Sequence, residues 1–137
     1  MTTAPAVKAA LLTALQQSAA LTGVHIQRHL PAELPDSPEH IYITTDTGHR
    51  RVAGRGSIGH RTYEINLVCE VIGNDTAEAA EARVRQLEDA GESVIDAGLS
   101  RGRYTLALNT GDLDDALVTS DGWIMRCRPS VSVRDID

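Results

Sequence analysis

The chain has 137 residues, of which 42% are hydrophobic and 23% are charged, and this size and composition predict one folded domain over residues 1–137. The formal net charge of −6 argues against a surface that wraps nucleic acid, since such surfaces carry clustered positive charge. No segment approaches the roughly 18 apolar residues of a membrane span, and the N-terminus lacks the pattern of a secretory leader, so we expect a soluble cytosolic protein.

The N-terminal residues predict an amphipathic helix. Thr3 is a candidate N-cap, and apolar residues then recur at helical spacing through Val7, Leu11 and Leu15. Gly23 stands where a helix of about five turns would end.

Three strands are predicted next. Alternation predicts a strand over 24–30, and the β-branched segment "HIYITTDT", residues 40–47, predicts a second. The proline-rich segment between them predicts a loop. The strongest pattern is "RTYEINLVCEVIG", residues 61–73, in which apolar residues share one face and both acidic residues, Glu64 and Glu70, share the other.

A long hairpin loop is predicted over residues 47–61, between the second and third strands. It is rich in glycine and arginine, and four of the 13 basic residues of the chain lie between positions 50 and 61. Such a local bias in an acidic chain indicates an interface. The predicted interface residues of this loop are Arg50, Arg51, Arg55, His60 and Arg61.

The segment 75–98 predicts a second helix. Asp75 is a candidate N-cap with Glu78 completing a capping box, and Gly98 is a candidate stop. Gly91, within the apolar stripe, indicates a close crossing over the sheet and costs about 1 kcal/mol relative to alanine.

The C-terminal third predicts three more strands. They cover residues 103–111, 116–119 and 123–133, and an Asp121-Gly122 turn joins the last two as a hairpin. Pro129 places the last strand at a sheet edge or at a bulge. The whole order predicts an α+β fold: a single mixed, mostly antiparallel sheet with two helices packed on one face and a long Gly/Arg-rich hairpin loop.

The loop contains the letters of a dinucleotide-binding motif, G-x-G-x-x-G, from Gly54 to Gly59. Such a site requires a strand that runs directly into a helix, so that the helix N-terminus meets the pyrophosphate. Here the motif lies between two predicted strands, which argues against nucleotide binding. Ser57 and His60 do not make a nucleophile elbow either, because position 55 is arginine.

No other group of residues predicts catalysis, a cofactor or a metal. His25 and His29 would stand about 13 Å apart on a strand, too far to bind one ion, and His40 and His49 are expected to be solvated. The aspartates from Asp112 onward fail the calcium-loop spacing.

The two cysteines, Cys69 and Cys127, each lie in an apolar alternating run and are expected to be small buried hydrophobes. Two cysteines without a secretory signal do not indicate a disulfide framework, although a disulfide between them stays open.

Charged residues also mark one face of the predicted sheet. Arg126, Arg128 and Arg134 share a face of the last strand, as Glu64 and Glu70 share the outer face of the third. These charges either pair across the sheet at the surface or form a face offered to a partner. We therefore add Arg126 and Arg128 to the predicted interface.

The order of elements resembles the tail terminator (tail completion) proteins of long-tailed bacteriophages. The resemblance spans nearly the whole chain and is carried by "VKAALLTAL", "TGVHIQRHLP", "HIYITTD", the Gly/Arg loop, "RTYEINLVCEVIG" and "DTAEAAEARVRQLEDAGESVIDA". It implies a structural virion protein that forms a ring, commonly a hexamer, on the tail tube and joins it to the head connector. DNA would pass through the lumen without sequence-specific binding, and an acidic lumen would let it slide.

The resemblance carries over no catalytic residue. It implies assembly in the bacterial cytoplasm and a final place at the head–tail junction. Alternatives are a head-side connector or stopper protein, a small phosphate- or nucleotide-binding enzyme that uses the Gly54–Gly59 loop, and a dimeric adaptor.

Overall fold

The computed structural model describes residues 4–31, 37–46, 50–53, 59–96 and 104–136; for residues 50–53, 59–61, 104, 135 and 136 this description covers the backbone. The two α-helices are α1 (Ala4–Gln16) and α2 (Ala77–Asp96), and a short 3-10 helix spans Ala19–Leu21. The strands are β1 (His25–Arg28), β2 (Glu39–Asp46), β3 (Arg50–Ala53), β4 (Gly59–Asn74), β5 (Tyr104–Leu113), β6 (Leu117–Thr119) and β7 (Gly122–Ile136).

Within the described residues, the strands form one seven-stranded sheet. Its main path runs β1-β2-β4-β7-β5, while β3 pairs with the first part of β4 and β6 pairs with the first part of β7. Only the β1–β2 pair is parallel, and every other pair is antiparallel. The predicted α+β fold with a mixed, mostly antiparallel sheet is thus confirmed.

Both helices cover the same face of the sheet, as predicted, with α1 over β1 and β2 and α2 over β4, β5 and β7. The alternation in β4 explains this packing, because every second side chain turns toward the helices. These buried side chains are Tyr63, Ile65, Leu67, Cys69 and Val71. They meet Val7, Leu11 and Leu15 of α1 and Ala80, Val84, Leu87 and Ile95 of α2. Each fully buried aliphatic side chain stabilises the fold by about 1.5–3 kcal/mol.

The first helix is shorter than predicted, and the candidate cap Thr3 lies outside the described residues. Helix α1 ends at Gln16, and a Ser18 N–H to Leu15 carbonyl bond begins a tighter turn. The short 3-10 helix that follows places the Leu21 side chain in the core.

The N-cap of α2 is Thr76, and the prediction of Asp75 is wrong by one residue. The Thr76 hydroxyl oxygen accepts a hydrogen bond from the Ala79 N–H at 3.0 Å. A bond from an N-cap side chain to the backbone N–H three residues later is the characteristic N-cap hydrogen bond. Position 79 is alanine, so no capping box forms. The predicted stop, Gly98, lies outside the described residues, and α2 is described to Asp96.

The predicted loop over 47–61 is wrong for most of its described part. Arg50–Ala53 forms β3, which pairs with Gly59–Thr62 at the start of β4. The backbone of β4 extends past the core and offers a row of hydrogen-bonding groups, and such pairing overrides the weak strand preference of the local sequence. Residues 47–49 and 54–58 lie outside the described residues.

The last strand is not an edge strand. β7 lies between β4 and β5, and Pro129 is buried where the β5–β7 register shifts between Asn109 and Asp112. The alternative prediction, a bulge, is therefore the correct one. The β6–β7 hairpin is confirmed, but its turn lies one residue earlier than predicted, at Ser120 and Asp121, because Gly122 (φ +118°) already pairs with Thr119 as the first residue of β7.

An ion pair on α2, formed by Arg85 and the buried Glu88, binds both backbone polar groups of Gly111 at this bulge. Glu88 is 3% exposed, and its Oε2 accepts the Gly111 N–H at 3.0 Å. Arg85 Nη1 donates to Glu88 Oε1 and to the Gly111 carbonyl, both at 2.9 Å. Helix α2 thus satisfies both polar groups of Gly111 that the irregular register removes from the ladder.

Candidate functional site

The predicted interface residues fall at two separate places. Arg50 stands opposite Thr62, and Arg51 opposite Arg61, in the β3–β4 hairpin. His60 stands opposite Ile136, near the C-terminal end of β7. Arg55 lies outside the described residues.

Arg126 and Arg128 lie near the other end of the sheet. Glu70 is opposite Arg126, while His60 is opposite Ile136. The two positions are ten residues apart on β4 (70 − 60), or about 33 Å at the usual rise of a strand. The structure therefore does not bring Arg126 and Arg128 together with the basic residues of the hairpin.

On the sheet face opposite the helices, Glu70 joins three strands. Arg126 of β7 donates to its Oε2 from Nε at 3.1 Å and from Nη2 at 2.5 Å. His40 of β2 lies on the other side, with Nδ1 3.1 Å from Glu70 Oε1. Glu70 is only 4% exposed. We call His40, Glu70 and Arg126 the outer-face triad.

His40 is fully buried, so the prediction of a solvated histidine is wrong. Its Nε2 contacts the Ser37 carbonyl, and its Nδ1 contacts the Glu70 carboxylate. Both ring nitrogens of His40 therefore have hydrogen-bonding partners inside the protein. The buried Glu70 carboxylate is compensated by the Arg126 guanidinium and by its contact with the His40 ring. The sequence showed only single polar residues on separate strands. The register of β2, β4 and β7 brings these three residues side by side.

Tyr42 adjoins the triad. Its ring centroid is 5.5 Å from that of His40, and its hydroxyl is buried without a hydrogen-bond partner in the described structure. Burial, with the Glu70 carboxylate nearby, raises the pKa of Tyr42, and Arg126 partly offsets that rise. The phenol stays neutral at physiological pH, so it adds no charge to the triad.

The remainder of this face is open and polar. Arg128 is exposed and pairs with Asp114 at 3.1 Å. The Asn109 side-chain amide donates to the hydroxyls of Ser130 and Ser132, at 3.3 and 2.7 Å. Arg126 is thus committed to a buried partner, while Arg128 presents its charge at the surface, where a pair is worth little.

Exposed apolar side chains mark the β6–β7 hairpin. Leu117 and Val118 are 63% and 66% exposed, and Leu30, after β1, is 63% exposed. The strand pattern of 116–119 predicted β6 but not its exposure. Adjacent exposed apolar residues on an edge strand are typical of a contact surface.

The structure gives no support to a phosphate site at Gly54–Gly59. Strand β3 ends at Ala53 before the motif, and β4 begins at Gly59, so two antiparallel strands flank it. The next helix, α2, begins at Ala77. A pyrophosphate site needs the helix N-terminus at the motif itself.

A search of the described residues finds no cluster of three or more histidine, cysteine or acidic side chains able to hold a metal ion. None of the described helices combines the length and the apolar character required to cross a membrane.

Glu39 and Arg83 form an ion pair that links β2 to α2. Arg83 Nη2 donates to Glu39 Oε1 at 2.8 Å, and Arg83 Nε donates to Oε2. The hydrogen bonds from Arg83 lower the pKa of Glu39 below 4.5, against the opposing effect of burial, and raise the pKa of Arg83. Both side chains are partly exposed, so the pair is worth about 1 kcal/mol or less.

We expect the stabilisation from Glu39 to depend on pH. Since its pKa is lower in the folded state, the contribution is complete above the unfolded value of 4.5 and disappears as the pH falls through the folded value. Urea unfolding should therefore show Glu39→Gln less stable than the natural chain at pH 7, with the difference shrinking below pH 4. A difference of equal size at both pH values would contradict a role for this carboxylate charge.

No model of a known protein family matches the sequence, and no curated protein sequence matches it. Among solved structures, the fold is similar to a chain described as "Virion of native gene transfer agent (GTA) particle". That similarity has a TM-score of 0.58 at 17% sequence identity, and it covers 95% of this chain and 94% of the other.

Proposed function

We propose that the chain is a structural virion protein and, within that class, a tail terminator. The observation that carries the proposal is the similarity of fold to a chain of the gene transfer agent virion, which extends over 95% of this chain. The resemblance of the sequence to tail terminators supports the finer role. In that role, copies of the chain form a ring, a hexamer by analogy, that caps the tail tube and meets the head connector.

The open sheet supports assembly into a ring. In its described part, the main path ends with β1 on one side and β5 on the other, and β6 continues the β5 side. Contacts between two different edges are heterologous, and repeated heterologous contacts close into a ring when the rotation allows it. We assign the apolar edge at Leu117 and Val118 to the contact with the next copy of this chain, because burial there removes two exposed aliphatic side chains from water.

The β3–β4 hairpin is the proposed contact with the tail tube. Its described part contains Arg50, Arg51, His60 and Arg61, and His60 lies about 33 Å along β4 from the position opposite Arg126. Arg55 belongs to the same sequence segment. Arg128, exposed near that other end, is available to a second partner such as the head connector. The net charge of −6 suits a passage through which DNA slides.

Replacing Leu117 and Val118 together by aspartate should convert a closed oligomer into monomers. Both side chains are exposed in the single chain, so folding should be retained while two charges would be buried at the contact. Native mass spectrometry gives the stoichiometry, and circular dichroism checks the fold. Ser93→Asp, on the exposed side of α2, is the matched control and should leave the oligomer intact. A natural chain that stays monomeric at all concentrations and is missing from purified tails would overturn the proposal.

A second experiment tests the hairpin. Changing Arg50, Arg51 and Arg55 to alanine should leave the ring folded and weaken head–tail joining in an in vitro assembly assay. Unchanged head–tail joining would contradict the proposal that the hairpin contacts the tail tube. Immunolabelling of tails that lack heads separates a terminator, present on such tails, from a head-side connector, absent from them.

A further inference from the structure

The two cysteines of the chain face each other at the centre of the sheet. Cys69 of β4 stands directly opposite Cys127 of β7 in the antiparallel register. Both are buried, and both are free thiols. They are 58 residues apart in sequence (127 − 69), so a bond between them would enclose α2, β5 and β6 in one covalent loop.

The expected Cα separation of this pair lies within the range that disulfides span. Residues directly opposite each other in antiparallel strands have Cα atoms about 4.5 or 5.5 Å apart, depending on the type of pair. Disulfides span Cα separations of about 4.4–6.8 Å. Either type of pair therefore satisfies this requirement.

The surroundings of Cys69 favour its thiol form over the thiolate. A hydrogen bond with Cys127, together with burial and the nearby Glu88 carboxylate, raises the pKa of the Cys69 thiol well above its usual value, against a smaller lowering effect of Arg85. The Cys127 Sγ lies 3.8 Å from Glu88 Oε2, as a thiol that donates to a carboxylate. Neither sulfur therefore resembles the exposed, electropositive setting of a catalytic cysteine.

We propose that Cys69 and Cys127 are an oxidation site at which a peroxide forms an intramolecular cross-strand disulfide. One sulfur attacks a peroxide oxygen, so that an S–O bond forms, the O–O bond breaks and water leaves with the thiol proton. The second sulfur then attacks the sulfenic sulfur; the S–S bond forms, the S–O bond breaks and a second water leaves. The two thiols lose two electrons, and the peroxide gains them.

The effect is a covalent lock between the two central strands. It restricts the unfolded chain more than the folded one, and so favours the folded state. The proposal does not depend on the virion role. If that role is correct, the reduced subunit assembles in the cytoplasm, and the bond forms after the particle leaves it, where disulfides persist.

The test uses purified natural protein and hydrogen peroxide, followed by intact mass and tryptic peptide mapping after unreacted thiols are blocked. We expect the loss of two hydrogen atoms, a disulfide joining peptides 62–83 and 127–134, and a melting temperature higher by about 5 °C or more that dithiothreitol reverses. Cys69→Ala and Cys127→Ala should each lack that cross-linked pair.

Dilute urea, which promotes local opening, should speed the reaction of the natural protein because both thiols are buried. The result with the natural protein decides the test, so a cysteine variant that fails to fold does not weaken it. Peroxide that leaves both thiols free in buffer and in dilute urea would overturn the proposal. Oxidation to sulfinic acids without an S–S bond, or disulfides only between chains, would also overturn it.

Discussion

Replacing Gly111 with alanine should destabilise the protein by about 4 kcal/mol or more and lower its melting temperature by about 12 °C or more. A Cβ at this position would lie 2.0 Å from the Arg128 carbonyl carbon and 2.2 Å from the Pro129 nitrogen. Both are backbone atoms of the neighbouring strand, so relief requires β5 and β7 to separate. Such movement would also strain the hydrogen bonds that Glu88 makes to the Gly111 N–H and that Arg85 makes to the Gly111 carbonyl.

Gly91→Ala is the matched control, because it makes the same chemical change inside helix α2. The added Cβ there would have only ordinary contacts, with Leu108 at 3.7 Å and Leu15 at 4.0 Å. Alanine is a better helix former than glycine, so this variant should gain up to about 1 kcal/mol. Thermal melts of both variants at one protein concentration provide the comparison. If both melted at the temperature of the natural chain, the close approach at Gly111 would be refuted.

Glu70→Ala should cost about 3–5 kcal/mol at pH 7, because it leaves the Arg126 charge and the His40 ring without their buried partner. Without the carboxylate, His40 Nδ1 loses its hydrogen-bond partner in the fully buried site, and Arg126 loses both of its hydrogen bonds there. Urea unfolding at fixed protein concentration measures the loss. An effect under 1 kcal/mol would show that the outer-face triad does not stabilise the sheet.

Two further variants complete this test: Glu64→Gln is a control at an exposed position, and Glu70→Gln removes the charge of Glu70 while keeping its shape. Glu64→Gln, on the same face of β4 but exposed, should change stability by no more than about 0.5 kcal/mol. Glu70→Gln keeps an acceptor oxygen for Arg126 and retains a polar group that can hydrogen-bond to the His40 ring, so its cost should fall below that of the alanine variant. A double-mutant cycle of Glu70→Ala with Arg126→Ala then gives the coupling of that pair directly.

The periodic segments were predictable from the sequence because local alternation and helical spacing record which face of an element is buried. The "RTYEINLVCEVIG" segment gave both the strand and its inward side chains, which are those found in the core. The α+β class followed from the order of such segments. Boundaries were less accurate, as α1 and the cap of α2 show, since competing turns at helix ends differ little in free energy.

The β3–β4 hairpin shows where local signals failed. Glycine and arginine around positions 50–61 predicted a loop, but β4 continues beyond the core and pairs with Arg50–Ala53. Backbone pairing of this kind depends on the neighbouring strand and not on the side chains of the segment itself. The sequence also could not tell how far the hairpin lies from Arg126, because the strand register, which places His60 about 33 Å along β4 from the position opposite Arg126, is set by the pairing of whole strands.

The sequence by itself determined the two helices, most of the strands, the face that each buries and the absence of a strand-to-helix context for the Gly54–Gly59 motif. Tertiary structure alone decided that His40, Glu70 and Arg126 meet, that Cys69 faces Cys127 and that Glu88 and Arg85 bind the N–H and carbonyl of Gly111. The physical reason for the first two is the sheet register, which pairs residues 30 to 58 positions apart in these groups, and the third depends on how α2 packs against β5. Such pairing depends on how whole strands align, and no local pattern around either residue records it.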